Sequence, residues 1–248
     1  MPISLTEFLL VAVPAVLLTG FSKGGFGGVL GGVAVPLLAL AMSPKQAAAI
    51  MLPILCIADL VGLRAYYGKW DVPNLRVMLP GALLGVIIGS LTFELMNEKF
   101  IGLLIGAIAV SFVLTNILMT PAVAPASSAP TVKGIFLATV AGFTSFVSHA
   151  GGPPIMMHLL PQQLEKVRYI ATINVFFLLT NAVKLMPYAL LGQFSSDSLL
   201  ASLALAPFVP LGVWAGIWMQ DRVNHLWFYR IARIGLLLTG IQLIVQNW

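Results

Sequence analysis

Apolar residues run in stretches of roughly 15 to 25 with few charges inside them, about the length a helix rising 1.5 Å per residue needs to cross ~30 Å of hydrocarbon. Charges and Pro/Gly clusters mark where the stretches end. The pattern predicts two short helices, Leu5–Thr19 and Val29–Met42, flanking a glycine-rich break, then three long ones at Lys45–Tyr67, Asn74–Met96 and Phe100–Met119. A Pro/Ala/Ser linker occupies 120–130. Beyond it, short helices at Thr131–Phe146 and Pro154–Leu160 flank a second break, and Glu165–Leu191, Ser198–Met219 and His225–Gln246 are long again.

The order short, break, short, long, long, long thus occurs twice, and single residues repeat with it. Pro80, Gly85, Gly89 and Asn97 recur as Pro207, Gly212, Gly216 and Asn224, each displaced by 127 positions. Gly20 matches Gly142 at 122, and Gly68 matches Gly192 at 124. Four matches at one offset point to duplication: a first membrane repeat over 1–119, the linker over 120–130, and a second repeat over 131–248. The expected fold is an all-α membrane protein of about eight transmembrane helices, two homologous halves each opening on a broken or re-entrant hairpin.

Charge suggests how the halves are oriented. If each break is the tip of a hairpin that enters and leaves on one side, each half makes three full crossings, and the second half is inverted. One side then collects Arg64, Lys69, Arg76, Lys133, Lys166, Arg168, Arg222, Arg230 and Arg233, against Lys45 and Lys99 on the other, nine to two. Four crossings per half would divide them more evenly, so the positive-inside rule favours an inverted repeat with both termini away from the cytoplasm.

Composition narrows the class further. Charged residues are 8% of 248 and hydrophobic ones 59%, whereas soluble domains carry about 25% charged residues. No extramembrane domain is expected. The first twenty residues lack the basic flank and cleavage site of a signal peptide and are expected to stay attached. The net charge of +5 comes from scattered Lys and Arg with no continuous basic stripe, which argues against a nucleic-acid partner. One cysteine, Cys56, excludes an intrachain disulfide and a cysteine metal cage.

The breaks read GFSKGGFGGVLGG, Gly20 to Gly32, and GFTSFVSHAGGPP, Gly142 to Pro154. Non-helical backbone in a membrane persists only where protein or a water-filled cavity satisfies its N–H and C=O groups, so each break implies an interior site. Helices restarting there would aim N-terminal N–H groups at the membrane centre, which suits an anion. The competing reading of the glycines is close helix packing. Lys23, costly at roughly 2.5 to 3.5 kcal/mol near the bilayer centre, calls for a partner, cavity or substrate unless it snorkels. His149 can donate, accept or carry a proton; the competing reading is a neutral imidazole bonded to a nearby carbonyl. Backbone at Gly24, Gly25, Gly28, Gly151 and Gly152 could complete the shell. So could the hydroxyls of Ser22 and Ser148, with Thr144 and Ser145 beside them, although such hydroxyls often bond their own helix.

Asp59 is the one carboxylate well inside a span. Lys184 lies near its repeat position, since the Gly68-to-Gly192 offset maps Asp59 to Val183. The two could pair across the pseudo-two-fold, as a structural ion pair or as a coupling site. Asn116, Asn174 and Asn181 should face the interior for interhelical hydrogen bonds or substrate contact, the latter two counting with Lys184 as candidate binding residues. Arg64, near Tyr66, Tyr67 and Trp70, reads as an interfacial anchor close enough to the core to gate an anion path. There is no Gly-x-Ser-x-Gly elbow, phosphate loop or His-Glu-x-x-His. No enzyme, cofactor or metal is expected.

At these breaks the sequence resembles the TauE/SafE family of anion permeases, which includes proposed exporters of sulfite and organosulfonates. The likeness rests on GFSKGGFGG followed by Val35-Pro36-Leu37, on Gly-Gly-Pro-Pro at 151–154, and on NAVKLMPY at 181–188. Ser148-His149 stands where many relatives have further glycine. The resemblance implies a bacterial inner-membrane transporter, with two homologous halves in the lipid bilayer. It would export a small sulfur-containing anion, such as sulfite or a short organosulfonate like sulfoacetate, by alternating access, with a proton as one candidate coupling ion. An anion channel, or a carrier of another small organic anion, is the alternative. Oligomeric state is left open.

Overall fold

Helices begin where a side chain can satisfy the free N–H groups of the first turn. Ser43 and Gln46 form a capping box, Asp71 accepts from Asn74 N, Glu165 from Val167 N and Arg168 N, Ser195 from Ser198 N, and Asn224 from Trp227 N. The computed structural model describes residues 5–28, 34–39, 42–93, 99, 103, 106, 107, 110, 113, 114 and 131–248. Its helices are α1 (Leu5–Phe26), α2 (Ala34–Ala39), α3 (Pro44–Ala65), α4 (Val72–Thr92), α5 (Thr131–Ser148), α6 (Gly152–Leu159), α7 (Lys166–Leu190), α8 (Ser196–Leu205), α9 (Phe208–Arg222) and α10 (His225–Asn247). Among the described residues there is no strand.

Five of these helices (α1, α3, α4, α5 and α7) are long and apolar enough to cross a bilayer, and α8 with α9, bent by 44°, makes a sixth. The expected single span Ser198–Met219 is therefore two helices, because Pro207 lacks the N–H that would continue the ladder. The expected helix Phe100–Met119, the linker 120–130 and Asn116 lie mostly or wholly outside the described residues. Both breaks come later than glycine composition implied. α1 stays helical through Gly20, Gly24 and Gly25 to Phe26, and α5 through Gly142 to Ser148. The second break shrinks to His149–Gly151.

The helix α6 doubles back along α5. Gly151 sits against Ala141 and Ser145, and His158 against Gly134, so this hairpin opens and closes at one end of the molecule. That end also holds the starts of α4 and α7 and the finish of α9. Asp71 pairs with Arg168 at 2.7 Å, Asn74 with Gln162 at 2.8 Å, and Lys166 donates to Gln220 O at 3.1 Å and to Val223 O.

Two helix pairs interlock through glycine. On α4 and α5, Gly85 meets the backbone of Thr139 and Phe143, and Gly142 meets Ala82; on α9 and α1, Gly212 meets Leu17, and Gly20 meets Val209 and Val213. A Cβ at any of these glycines would collide with helix backbone. Contacts advance together along both pairs, so α4 runs parallel to α5 and α1 parallel to α9. Since α4 starts at the end where α9 finishes, α1 and α5 point in opposite directions. Each contact also has a counterpart with the halves exchanged: Leu17 and Thr139 are 122 apart, Ala82 and Val209 127 apart.

Large apolar side chains face outward, and a small set of charged and amide side chains is enclosed within an otherwise apolar interior. Leu91 on α4 is 76% exposed and Leu200 on α8 64%, whereas Lys23, Asp59, His149, Asn174, Asn181 and Lys184 are buried. An apolar exterior with its intramembrane charges turned inward is what a hydrocarbon solvent requires.

Candidate functional site

Lys23, Asp59, Asn181, Lys184 and His149 form one hydrogen-bonded chain. Lys23 of α1 donates to Asp59 Oδ1 of α3 at 2.5 Å, and Asn181 of α7 donates to Asp59 Oδ2 at 2.8 Å. The other side of the Asn181 amide accepts from Lys184 at 3.1 Å. Lys184 also donates to Ser145 O at 2.7 Å, Ser145 Oγ at 3.1 Å and His149 Nδ1 at 2.8 Å. The far nitrogen, His149 Nε2, lies 3.0 Å from Ala48 O, which can only accept, so Nε2 carries the hydrogen and Nδ1 takes the bond from Lys184. Three ammonium protons thus face four acceptors around a lysine with no exposure at all.

Local backbone explains why the charges meet here. α1 and α5 both end at this level, and the residue after each helix bends left-handed: Gly27 has φ +64° and His149, 122 positions on, φ +55°. Glycine reaches that region freely, whereas histidine is strained there and held by its bonds at both ring nitrogens. Two tyrosines, also 122 apart, clamp the helix ends: Tyr66 Oη donates to Gly24 O at 2.6 Å and Tyr188 Oη to Phe146 O at 2.8 Å. At that same offset Asp59 corresponds to Asn181, Lys23 to Ser145, and Lys184 to Gly62. On this offset Asp59 lines up with Asn181 in place of the expected Val183, the two extra residues falling between Tyr188 and Gly192.

A cavity of about 20 Å³ adjoins the chain, lined by Lys23, Gly28, Leu55, Ser145, His149, Gly152, Phe177 and Asn181. That is room for about one water. Lys23 makes one hydrogen bond among the described residues and lies 4.5 Å from the centre of the Phe177 ring, which leaves ammonium protons for a further acceptor.

Of the expected site residues, Lys23, Gly28, His149, Gly152 and Asn181 line the cavity, and Asp59 and Lys184 join it through hydrogen bonds. Asp59 and Lys184 do not pair directly; Asn181 bridges them. Gly24 and Gly25 face the backbone of Val213 and Gly216, so there the helix-packing reading holds. Gly151 packs on Ala141, Ser145 and Phe177, Ser148 bonds back to Thr144 O at 3.2 Å, and Ser22 is buried away from the cavity lining. Asn174 reaches the Lys23 carbonyl at 3.4 Å, a weak bond that steadies the end of α1. Arg64 is exposed toward the end of α3, outside the cluster. α6 also offers an anion fewer donors than expected, since Pro153 and Pro154 in its first turn have no N–H.

Among the candidate hydroxyls, Ser145 is the one that bonds Lys184 and borders the cavity. The Ala48 carbonyl and the Phe177 and Leu55 walls carry no polar signal in an apolar run, although Ser145 as the counterpart of Lys23 was readable from the 122 offset.

The family model for the sulfite exporter TauE/SafE matches residues 12–243. No curated protein and no solved structure matches the chain.

Proposed function

The chain belongs to the sulfite exporter TauE/SafE family, and on that premise we propose that it exports a small sulfur-containing anion across a bacterial inner membrane by alternating access. The observation that carries this reading is the buried chain Lys23–Asp59–Asn181–Lys184–His149, two lysines against one carboxylate beside a cavity. An anion supplies the counter-charge that the protein leaves out. Among the described residues Lys23 has donors to spare, and Ser145, Gly28 and Gly152 border the same space.

The halves act in this reading as an inverted repeat, each contributing a hairpin tip to the site. Support comes from the opposite directions of α1 and α5 and from the exchanged glycine contacts. Arg64, Lys69, Arg76, Lys133, Lys166, Arg168 and Arg222 belong to the end where the α5–α6 hairpin opens, so that end faces the cytoplasm and both chain termini lie across the membrane from it. A cavity of about 20 Å³ is too small for a sulfur oxyanion, which favours a carrier that must rearrange over a standing pore.

The test is binding by the purified protein. Sulfite or a short sulfonate at 100 times its Kd should stabilise the fold by about 2.7 kcal/mol in thermal unfolding. Lys23→Met should abolish that gain. Unchanged binding by Lys23→Met removes Lys23 from the site, and no response to any sulfur anion removes the reading.

A further inference from the structure

The net charge of the cluster can be counted without deciding where each proton rests. His149 Nδ1 and Lys184 Nζ lie 2.8 Å apart. Ser145 O and Asn181 Oδ1 each take a proton from Lys184 Nζ, and Ala48 O takes one from His149 Nε2. The proton between Nζ and Nδ1 is thus one more than the neutral pair holds, and the pair carries one positive charge whether ammonium donates to imidazole or imidazolium to amine. Lys23 and Asp59, also in direct contact, sum to zero with the proton on either partner. Asn181 is neutral. Tyr188, against the His149 ring, donates its hydroxyl proton to Phe146 O, and Cys56 on α3 is a free, half-buried thiol. Among the described residues no other ionisable side chain bears on Asp59, His149 or Lys184. The total is one positive charge.

Resting on the anion-transport reading above, we propose that this site selects anions by valence, taking a monoanion with a short apolar group in preference to a dianion. One negative charge brings the cluster to neutrality. A second would stand uncompensated among groups that are 0 to 8% exposed and cannot be replaced by water. The apolar group follows from the wall opposite the charges, where Phe177 and Leu55 line the cavity and Pro153 and Pro154 offer no N–H to further oxygens. A short monosulfonate or hydrogen sulfite fits this description; sulfate and the dianionic sulfoacetate do not.

Methanesulfonate and sulfate make the decisive pair, since both are tetrahedral and they differ by one charge. In isothermal titration of the purified full-length protein at matched ionic strength, methanesulfonate should bind about 100-fold tighter or better, the scale of one unpaired charge a few ångströms from its neighbours. Asp59→Asn raises the count to two positive charges and should move the ratio at least about tenfold toward sulfate. Should that variant not fold, Asn181→Asp lowers the count to zero and should weaken both anions by about tenfold or more. Equal affinities in the unmodified protein, or a ratio unmoved by Asp59→Asn, overturn valence selection and leave anion transport standing. Failure of the unmodified protein to bind these or any other sulfur anion, sulfite included, overturns both.

Discussion

Replacing Asn181 with leucine keeps the shape of the side chain and removes the amide that ties Asp59 of the first half to Lys184 of the second. Two hydrogen bonds to charged groups, at about 1.5–3 kcal/mol each, would suggest a loss near 4 kcal/mol. The donor inventory reduces that. Lys184 has three protons and keeps Ser145 O, Ser145 Oγ and His149 Nδ1, so it loses an acceptor it can spare. Asp59 Oδ2 has no such reserve, for Lys23 serves the other oxygen and the residue is fully buried. The expected loss is thus a single charge-assisted bond, about 2 kcal/mol, above the ~0.6 kcal/mol typical of neutral interhelical bonds in membranes. Unfolding by titration with a denaturing detergent, followed by loss of helical circular dichroism, measures it. In an Asp59→Asn background the same substitution should cost less than about 1 kcal/mol, because no charge is left unserved. An equal loss in both backgrounds, or a loss under about 0.5 kcal/mol in the first, refutes the assignment of the cost to Asp59.

Two further outcomes follow from the interlocked helices and the charge distribution. Gly85→Val and Gly212→Val each force a Cβ into the backbone of a parallel neighbour, so each should destabilise by about 3 kcal/mol or more and reduce monodisperse protein on gel filtration. Because their contacts are counterparts, one tolerated and the other lethal would contradict the exchanged relation of the halves. Reporters active only outside the cytoplasm should work when fused at either terminus, and cytoplasmic signals from both would sink the proposed orientation.

Much of the site was legible because charge inside an apolar run has few innocent explanations. Lys23, Asp59, His149 and Lys184 stood out for that reason, Asn181 as an amide that hydrocarbon cannot serve, and all five meet. Glycine gave no such discrimination. Gly24 and Gly25 permit a ligand and a neighbouring helix equally well, and only the position of α9 decides between them. Ser148 and Ser145 are indistinguishable as types; the helical turn sends one back to Thr144 and the other toward Lys184. The spans α3, α4 and α7 fall close to their expected bounds because Ser43, Asp71 and Glu165 cap them, while the glycine-rich helix ends ran longer than composition implied, since neighbours that accept no Cβ keep glycine helical. Asp59 lines up with Asn181 and not with the expected Val183, because Gly68 and Gly192 lie beyond an insertion that Tyr66 and Tyr188 precede.

The exchanged glycine contacts also set a timetable for synthesis. α1 finds its closest partner in α9, so Gly20 waits about 190 residues for Val209. At 5–20 residues per second that is about 10 to 40 s during which the first helix stands in the membrane with its glycine face unmatched. On the proposed division into halves, the first should not fold alone on the ribosome, and neither should persist by itself. Two fragments cut within 120–130 should be degraded when expressed singly and protect one another when made together.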